Sequence, residues 1–454
     1  MKAQPARHWL AVAVTVSLVV AAMLLSACGD MARLPVSAGM GPTPELPAPR
    51  PSLLPTVNIA PAQGWPAGKV PSGPPGTEVQ PFAQGLDHPR WLLVLPNGDV
   101  LVAETNAPER PDAAPGLRGW VMGLVMKRAG AGTPSANRIT LLRDTRGSGV
   151  ADERFVLLQG LQEGLNSPFG MVWIDGALFV ANTDAVVRFP LPLGSTRITA
   201  AGVPVASLPA GRINHHWTKN LVASADQRSL YVSIGSNSNA GERGLAAEAG
   251  RAAIVQIDID SGTQRPWATG LRNPVGMALE PASGVLWTVV NERDELGSDL
   301  VPDYLAAVQD GAFFGWPWSW YGSHVDTRVQ PPAPERVAAA RVPDHALGAY
   351  TASLGLAWSG GNTLPAPFAQ GMFVGQHGSW NRRTVSGCKV IFVPFEGGRP
   401  SGQPLDMLTG FLSAEGRAYG RPVGVALDRQ GALLVADDVG NVVWRLSSTA
   451  SARR

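Results

Sequence analysis

The stretch Arg421-Pro422-Val423-Gly424-Val425-Ala426 runs on to Gly431-Ala432-Leu433-Leu434-Val435-Ala436-Asp437. It reads as a short strand, a polar turn with glycine, and a second strand, because both runs are rich in β-branched and apolar residues and bounded by turn formers. The same order returns at Arg272-Asn273-Pro274-Val275-Gly276-Met277-Ala278. It returns again at Asn166-Ser167-Pro168-Phe169-Gly170-Met171-Val172, followed by Gly176-Ala177-Leu178-Phe179-Val180-Ala181-Asn182. Weaker copies begin at His88-Pro89, His216-Trp217 and Ala352-Ser353-Leu354-Gly355.

Six strand–turn–strand units, spaced by roughly 50 to 80 residues, leave room for two outer strands and a variable loop in each. Four-stranded sheets repeated around an axis make a β-propeller. The expectation is therefore an all-β, six-bladed β-propeller over residues 81–447, with 448–454 as a tail. Composition agrees. Of 454 residues, 52 are Gly, 40 are Pro and 14 are Trp. Charged residues are 16%, against about 25% in an average soluble domain. A helical bundle or coiled coil would need a different balance. The formal net charge of +2 lacks the basic excess of a nucleic-acid binder.

Upstream, Lys2 and Arg7 precede an apolar run from Trp9 to Ala27 that ends in Leu25-Ser26-Ala27-Cys28. This is the pattern of a secretory signal peptide over 1–27, and its end resembles the bacterial lipobox, in which the cysteine becomes the lipidated first residue. Gly29, rather than Asp, follows Cys28 and leans away from inner-membrane retention. The expectation is a periplasm-facing envelope lipoprotein on the outer membrane, touching the membrane only through its lipid. Residues 28–80 hold twelve prolines and read as an extended spacer. Without 1–27 the chain carries no net charge, and Cys388 is the only other thiol.

In a propeller, polar residues before the first strand and after the second strand of each unit share one rim. Here those residues include His88, Asn166, His215-His216, Arg272-Asn273 and Arg421 before the units. Glu104, Asn182, Asn237-Ser238-Asn239, Asn291 to Glu295, Gln376-His377 and Asp437-Asp438 follow them. Imidazoles, guanidinium groups, amides and carboxylates together suit an anionic ligand and proton transfer.

Five segments are more specific: Gly270-Leu271-Arg272-Asn273-Pro274-Val275-Gly276, His215-His216-Trp217-Thr218-Lys219-Asn220-Leu221, Asn291-Glu292-Arg293-Asp294-Glu295-Leu296-Gly297, Phe314-Gly315-Trp316-Pro317 and Gly420-Arg421-Pro422-Val423. In that company the chain resembles the pyrroloquinoline quinone (PQQ)-dependent soluble aldose and sorbosone dehydrogenases, which are six-bladed propellers. The resemblance covers about residues 80–447. It implies oxidation of an aldose or aldehyde to a lactone or acid, with PQQ and Ca²⁺ as cofactors and an external electron acceptor. It implies His216 as general base, and Arg272 with Asn273 at the reactive carbonyl of the quinone. Arg421 would grip a PQQ carboxylate; its family partner would fall at Tyr419, so Arg382 or Arg383 is expected to substitute. Asn291 would serve both cofactor and calcium, with Glu292 and Arg293 giving carbonyl ligands. The aromatic run Phe313 to Tyr321 is expected to pack between blades rather than line the site. Two other classes stay open: a calcium-dependent propeller lactonase, and a non-enzymatic lipoprotein that binds glycan or protein through the rim.

Overall fold

A computed structural model describes residues 30–52, 56–108, 123–124 and 126–449. The signal peptide, Cys28 and residues 450–454 lie outside the described residues.

Each expected repeat opens the innermost strand of one sheet. The inner strands are Pro89–Val94, Met171–Ile174, Lys219–Ala223, Asn273–Leu279, Ser353–Trp358 and Pro422–Leu427. Each starts a sheet whose first two strands run antiparallel from the centre outwards, and the only parallel pair of strands at a blade edge among the described residues joins Ala312–Phe313 to the third blade. Consecutive inner strands pack against one another, and the sixth meets the first, so the sheets close into a six-bladed propeller. The ring is sealed across the chain ends. Thr77–Gln84 adds to the last blade as its outermost strand, antiparallel to Val442–Ser448. The folded body thus begins four residues before the expected boundary at 81.

The repeat glycine has a packing reason. A Cβ at Gly276 would lie 2.6 Å from the Leu354 carbonyl oxygen, and one at Gly355 would lie 2.1 Å from that of Val423. These glycines let each inner strand approach the backbone of the next blade. Apolar side chains from several blades fill the channel between them, including Trp91, Phe169, Trp217, Val275, Leu354 and Val423.

The proline-rich segment is extended, but it is not a spacer. Asp30 accepts a hydrogen bond from the Ser298 N–H, and Arg50 pairs with Asp299 at 2.6 Å. Met40–Gly41 pairs with Leu347 and Ala346 at the edge of the fourth blade. Trp65 packs on Phe411, Tyr419 and Trp444, and its indole N–H donates to Asp437. Proline-fixed extended backbone needs external partners for its remaining polar groups, and the blades supply them.

Candidate active site

A cavity of about 310 Å³ opens at the rim where the six units begin. His216, Arg272, Asn273, Asn291, Glu292 and Arg421 all line it, so six of the sequence-derived candidates converge. Arg90, Asp294, Asp303, Tyr350, His377 and Trp380 complete much of the wall.

His216 sits just before the inner strand of the third blade. Its Nδ1 lies 2.8 Å from the Ser236 carbonyl oxygen and 3.1 Å from Ser236 Oγ. A carbonyl only accepts, so Nδ1 carries the proton and Nε2 keeps its lone pair. Burial, then the neighbouring His215 and Arg272, holds the imidazole well below its ordinary pKa, so it is neutral near pH 7. The Ser236 N–H donates to the Arg272 carbonyl, which ties the histidine to the next blade.

Arg272 is buried, and its guanidinium donates to Asp294 at 2.6 Å and to the carbonyls of Asn239 and Asn291. Asn273 pairs in register with Asn291 across the first two strands of the fourth blade. The Asn291 amide donates to the Ser353 carbonyl at 2.6 Å.

Glu292, expected to serve through its carbonyl, lines the cavity. Its Oε1 accepts from the Arg293 N–H, while Oε2 is buried without a partner. Burial raises the Glu292 carboxyl to about 8 and that of Asp303 to about 7. Asp303 accepts from Thr351 and from the Glu292 and Ser353 N–H groups.

Two expected residues are absent from the lining. Arg293, expected to serve through its carbonyl, does not line the cavity, and its side chain is buried in an ion pair with Asp326. Arg382 donates to the carbonyls of Ser298, Thr384 and Leu34, so it fastens the N-terminal segment instead of a ligand. Its guanidinium also lies 3.6 Å from the Asp299 carboxylate. Arg383 is also absent from the lining. Of the run Phe313 to Tyr321, none lines the cavity, and Phe314, Trp320 and Tyr321 pack in the core beside the fourth blade.

Besides Arg272 and Arg421, Arg90 brings a guanidinium to the lining, whereas the sequence has Tyr419 where a second arginine was expected. In the repeat Arg90 stands where Val275 and Val423 stand in other blades. A bulge between Pro89 and Trp91 sets it out of the regular pairing. Arg90 donates to Asp438 at 2.8 Å and lies over the Phe169 and Trp217 rings. Asp438 also bonds His377 Nε2 at 2.9 Å. Burial, partly opposed by Asp438, lowers His377 to about 4. Arg421 donates to the carbonyls of His377 and Ala60. The charge at Arg90, in a repeat position otherwise apolar, was the signal that could have revealed it.

Four buried polar atoms on the lining have no partner: Arg90 Nε, Arg421 Nε, Asn273 Oδ1 and Glu292 Oε2. Buried groups of this kind are rare in folded proteins unless a ligand or water completes them. The donors suit a polyanionic quinone. The oxygens of Asn291 and Glu292 suit a hard cation, although no group of three or more His, Cys, Asp or Glu among the described residues is arranged to hold a metal.

Residues 134–303 match the family model described as TrAA12-like. The chain is 25% identical over 293 residues to an uncharacterized protein of Borreliella burgdorferi, covering 62% of this chain and 76% of the relative. Its structure is similar to the holo form of the pyranose dehydrogenase PQQ domain from Coprinopsis cinerea, with TM-score 0.66 and 19% identity over 86% of this chain and 100% of the other. It is also similar to the calcium structure of a Trichoderma reesei carbohydrate-active enzyme of family AA12, with TM-score 0.65 and 18% identity over 87% and 99% of the two chains. The chain therefore shares the six-bladed fold of the PQQ-dependent sugar dehydrogenases it resembles in sequence, and its central third matches the TrAA12-like family.

Proposed function

We propose that the protein is a PQQ-dependent oxidoreductase that converts an aldose or a sorbosone-like aldehyde to its lactone or acid. The observation that carries this reading is the set of four unpartnered polar atoms in one cavity, two on guanidinium groups and two on oxygens. Arg90, Arg421, Arg272 and Asn273 would hold the carboxylates and carbonyls of PQQ, and Asn291 and Glu292 would hold Ca²⁺. Bound PQQ supplies a hydride acceptor, which the calcium ion polarises.

His216 then takes the hydroxyl proton of the substrate at Nε2, because Nδ1 already donates to Ser236. The guanidinium of Arg272 lines the cavity beside it and would donate to an oxygen of the substrate or cofactor. Trp217 and Trp380 give the cavity apolar walls that limit water. Turnover would need an external electron acceptor, which a dye supplies in the assay.

A lactonase reading needs several free carboxylates. Asp294 is engaged by Arg272, and Asp303 by two N–H groups and a hydroxyl, which leaves only Glu292 with an unpartnered oxygen. We also assign Cys28 as the lipid-attachment residue and the outer membrane as the site of anchorage, facing the periplasm. The test is titration of the apoprotein with PQQ and Ca²⁺, followed by a panel of aldoses and aldehydes with a dye acceptor. Dye reduction that needs both cofactors is expected. Failure to perturb the PQQ absorbance, or turnover of lactones without PQQ, would overturn the reading.

A further inference from the structure

The N-terminal segment does more than dock on the propeller: residues 58–63 bridge the fifth and sixth blades beside the cavity. Asn58 donates from its N–H to the Trp380 carbonyl and from its side chain to the Arg382 carbonyl, both at 2.8 Å. At the other end, Gln63 donates to the Ala418 carbonyl and Ala418 donates to that of Pro61. Between these ties, the Ala60 carbonyl caps Arg421 at 2.9 Å and Ile59 lines the cavity. The Ala62 N–H donates to the Arg128 carbonyl, which brings in a second segment. That segment contributes Met126, Ala129 and Ala131 to the same lining.

Two segments outside the repeated blades thus wall the site. The cavity of about 310 Å³ falls at the lower end of the ~300–1,000 Å³ found for drug-sized ligands. The apolar Ile59, with Met126, Ala129 and Ala131 on the same lining, offers a further sugar unit no side-chain hydrogen bond.

Resting on the assignment of a PQQ-dependent sugar oxidation, we propose that the 58–63 strap restricts the enzyme to monosaccharide-sized substrates, with Ile59 as a specificity-determining residue. The experiment uses the full chain loaded with PQQ and Ca²⁺, and glucose, maltose and maltotriose as substrates. Wild type is expected to favour the monosaccharide over the trisaccharide by at least ~10-fold in kcat/KM, the discrimination a shaped apolar wall can supply. Ile59→Gly should narrow that ratio and Ile59→Trp should widen it. Ile59→Gly should also speed release of bound PQQ, followed by absorbance on exchange into cofactor-free buffer. Equal use of glucose and maltotriose by wild type would overturn the proposal. So would an unchanged ratio and release rate in both variants while PQQ binding and monosaccharide turnover persist. Loss of PQQ binding or of all turnover in wild type would instead remove the enzymatic reading itself, and this proposal with it.

Discussion

The imidazole of His216 donates from Nδ1 to the Ser236 carbonyl oxygen across 2.8 Å, and this bond decides which ring nitrogen can act as a base. Replacing His216 with Gln is expected to lower kcat by about 10²–10⁴-fold, the usual contribution of a positioned base. PQQ affinity, read by absorbance titration, should change little. Because burial and nearby charge hold the imidazole well below its ordinary value, the acid limb of the wild-type pH–rate profile should lie well below pH 6.5.

Gly235 supports the same histidine by being small. A Cβ there would come within 2.2 Å of Asn273 Oδ1 and 2.5 Å of His216 Cβ. Gly235→Ala must therefore displace two site residues from different blades. A misplacement of about 1 Å can cost on the order of 10²-fold in rate. Steady-state kinetics beside a thermal melt should show activity lost out of proportion to stability.

The arginines separate into two groups. Arg90→Ala or Arg421→Ala should weaken PQQ binding by roughly 10–100-fold, the worth of a charge-assisted hydrogen bond of ~1.5–3 kcal/mol. Arg382→Ala should leave PQQ affinity unchanged and lower the melting temperature, because its partners are backbone carbonyls of the N-terminal segment and neighbouring loops. Equilibrium titration and thermal melts of the three variants distinguish these outcomes.

Acid should remove the stability held by the buried histidines. Burial lowers His88, His216, His345 and His377 in the folded state, His377 to about 4. Unfolded histidines take protons near pH 6.5. Between those values the unfolded histidines bind more protons, so the histidine contribution to stability is full above about pH 6.5 and falls as pH drops toward 4. Glu292 and Asp303, raised to about 8 and 7, act in the opposite sense. Urea melts at pH 7.5 and pH 5 should therefore show a smaller loss on acidification in His377→Gln than in wild type. Asp438→Asn should cost about 3–5 kcal/mol at pH 7.5, since it leaves the buried Arg90 without its carboxylate.

Anchorage is checked by fractionation. Cys28→Ser should move the protein from the membrane fraction to the soluble periplasmic fraction while PQQ binding persists. The spacer that was to hold the body away from the membrane is docked from Asp30 onward, so the lipid would sit two residues from the folded surface.

The repeat and its punctuation determined the propeller without help. Alternating strands, the repeat glycines and the polar residues flanking each unit are local signals, and they placed all six inner strands and gathered His216, Arg272, Asn273, Asn291, Glu292 and Arg421 on one rim. Tertiary structure decided where the remaining charges point. Arg90 enters the cavity because a bulge breaks the two-residue alternation that reading a strand assumes. Arg382 leaves it because Leu34, more than 300 residues away in sequence, offers its carbonyl. The fate of the proline-rich segment was likewise hidden. Its composition dictates an extended chain, but whether that chain floats or lies along the blades depends on hydrogen-bond partners such as Ala418 and Asp299, which only folding brings to it.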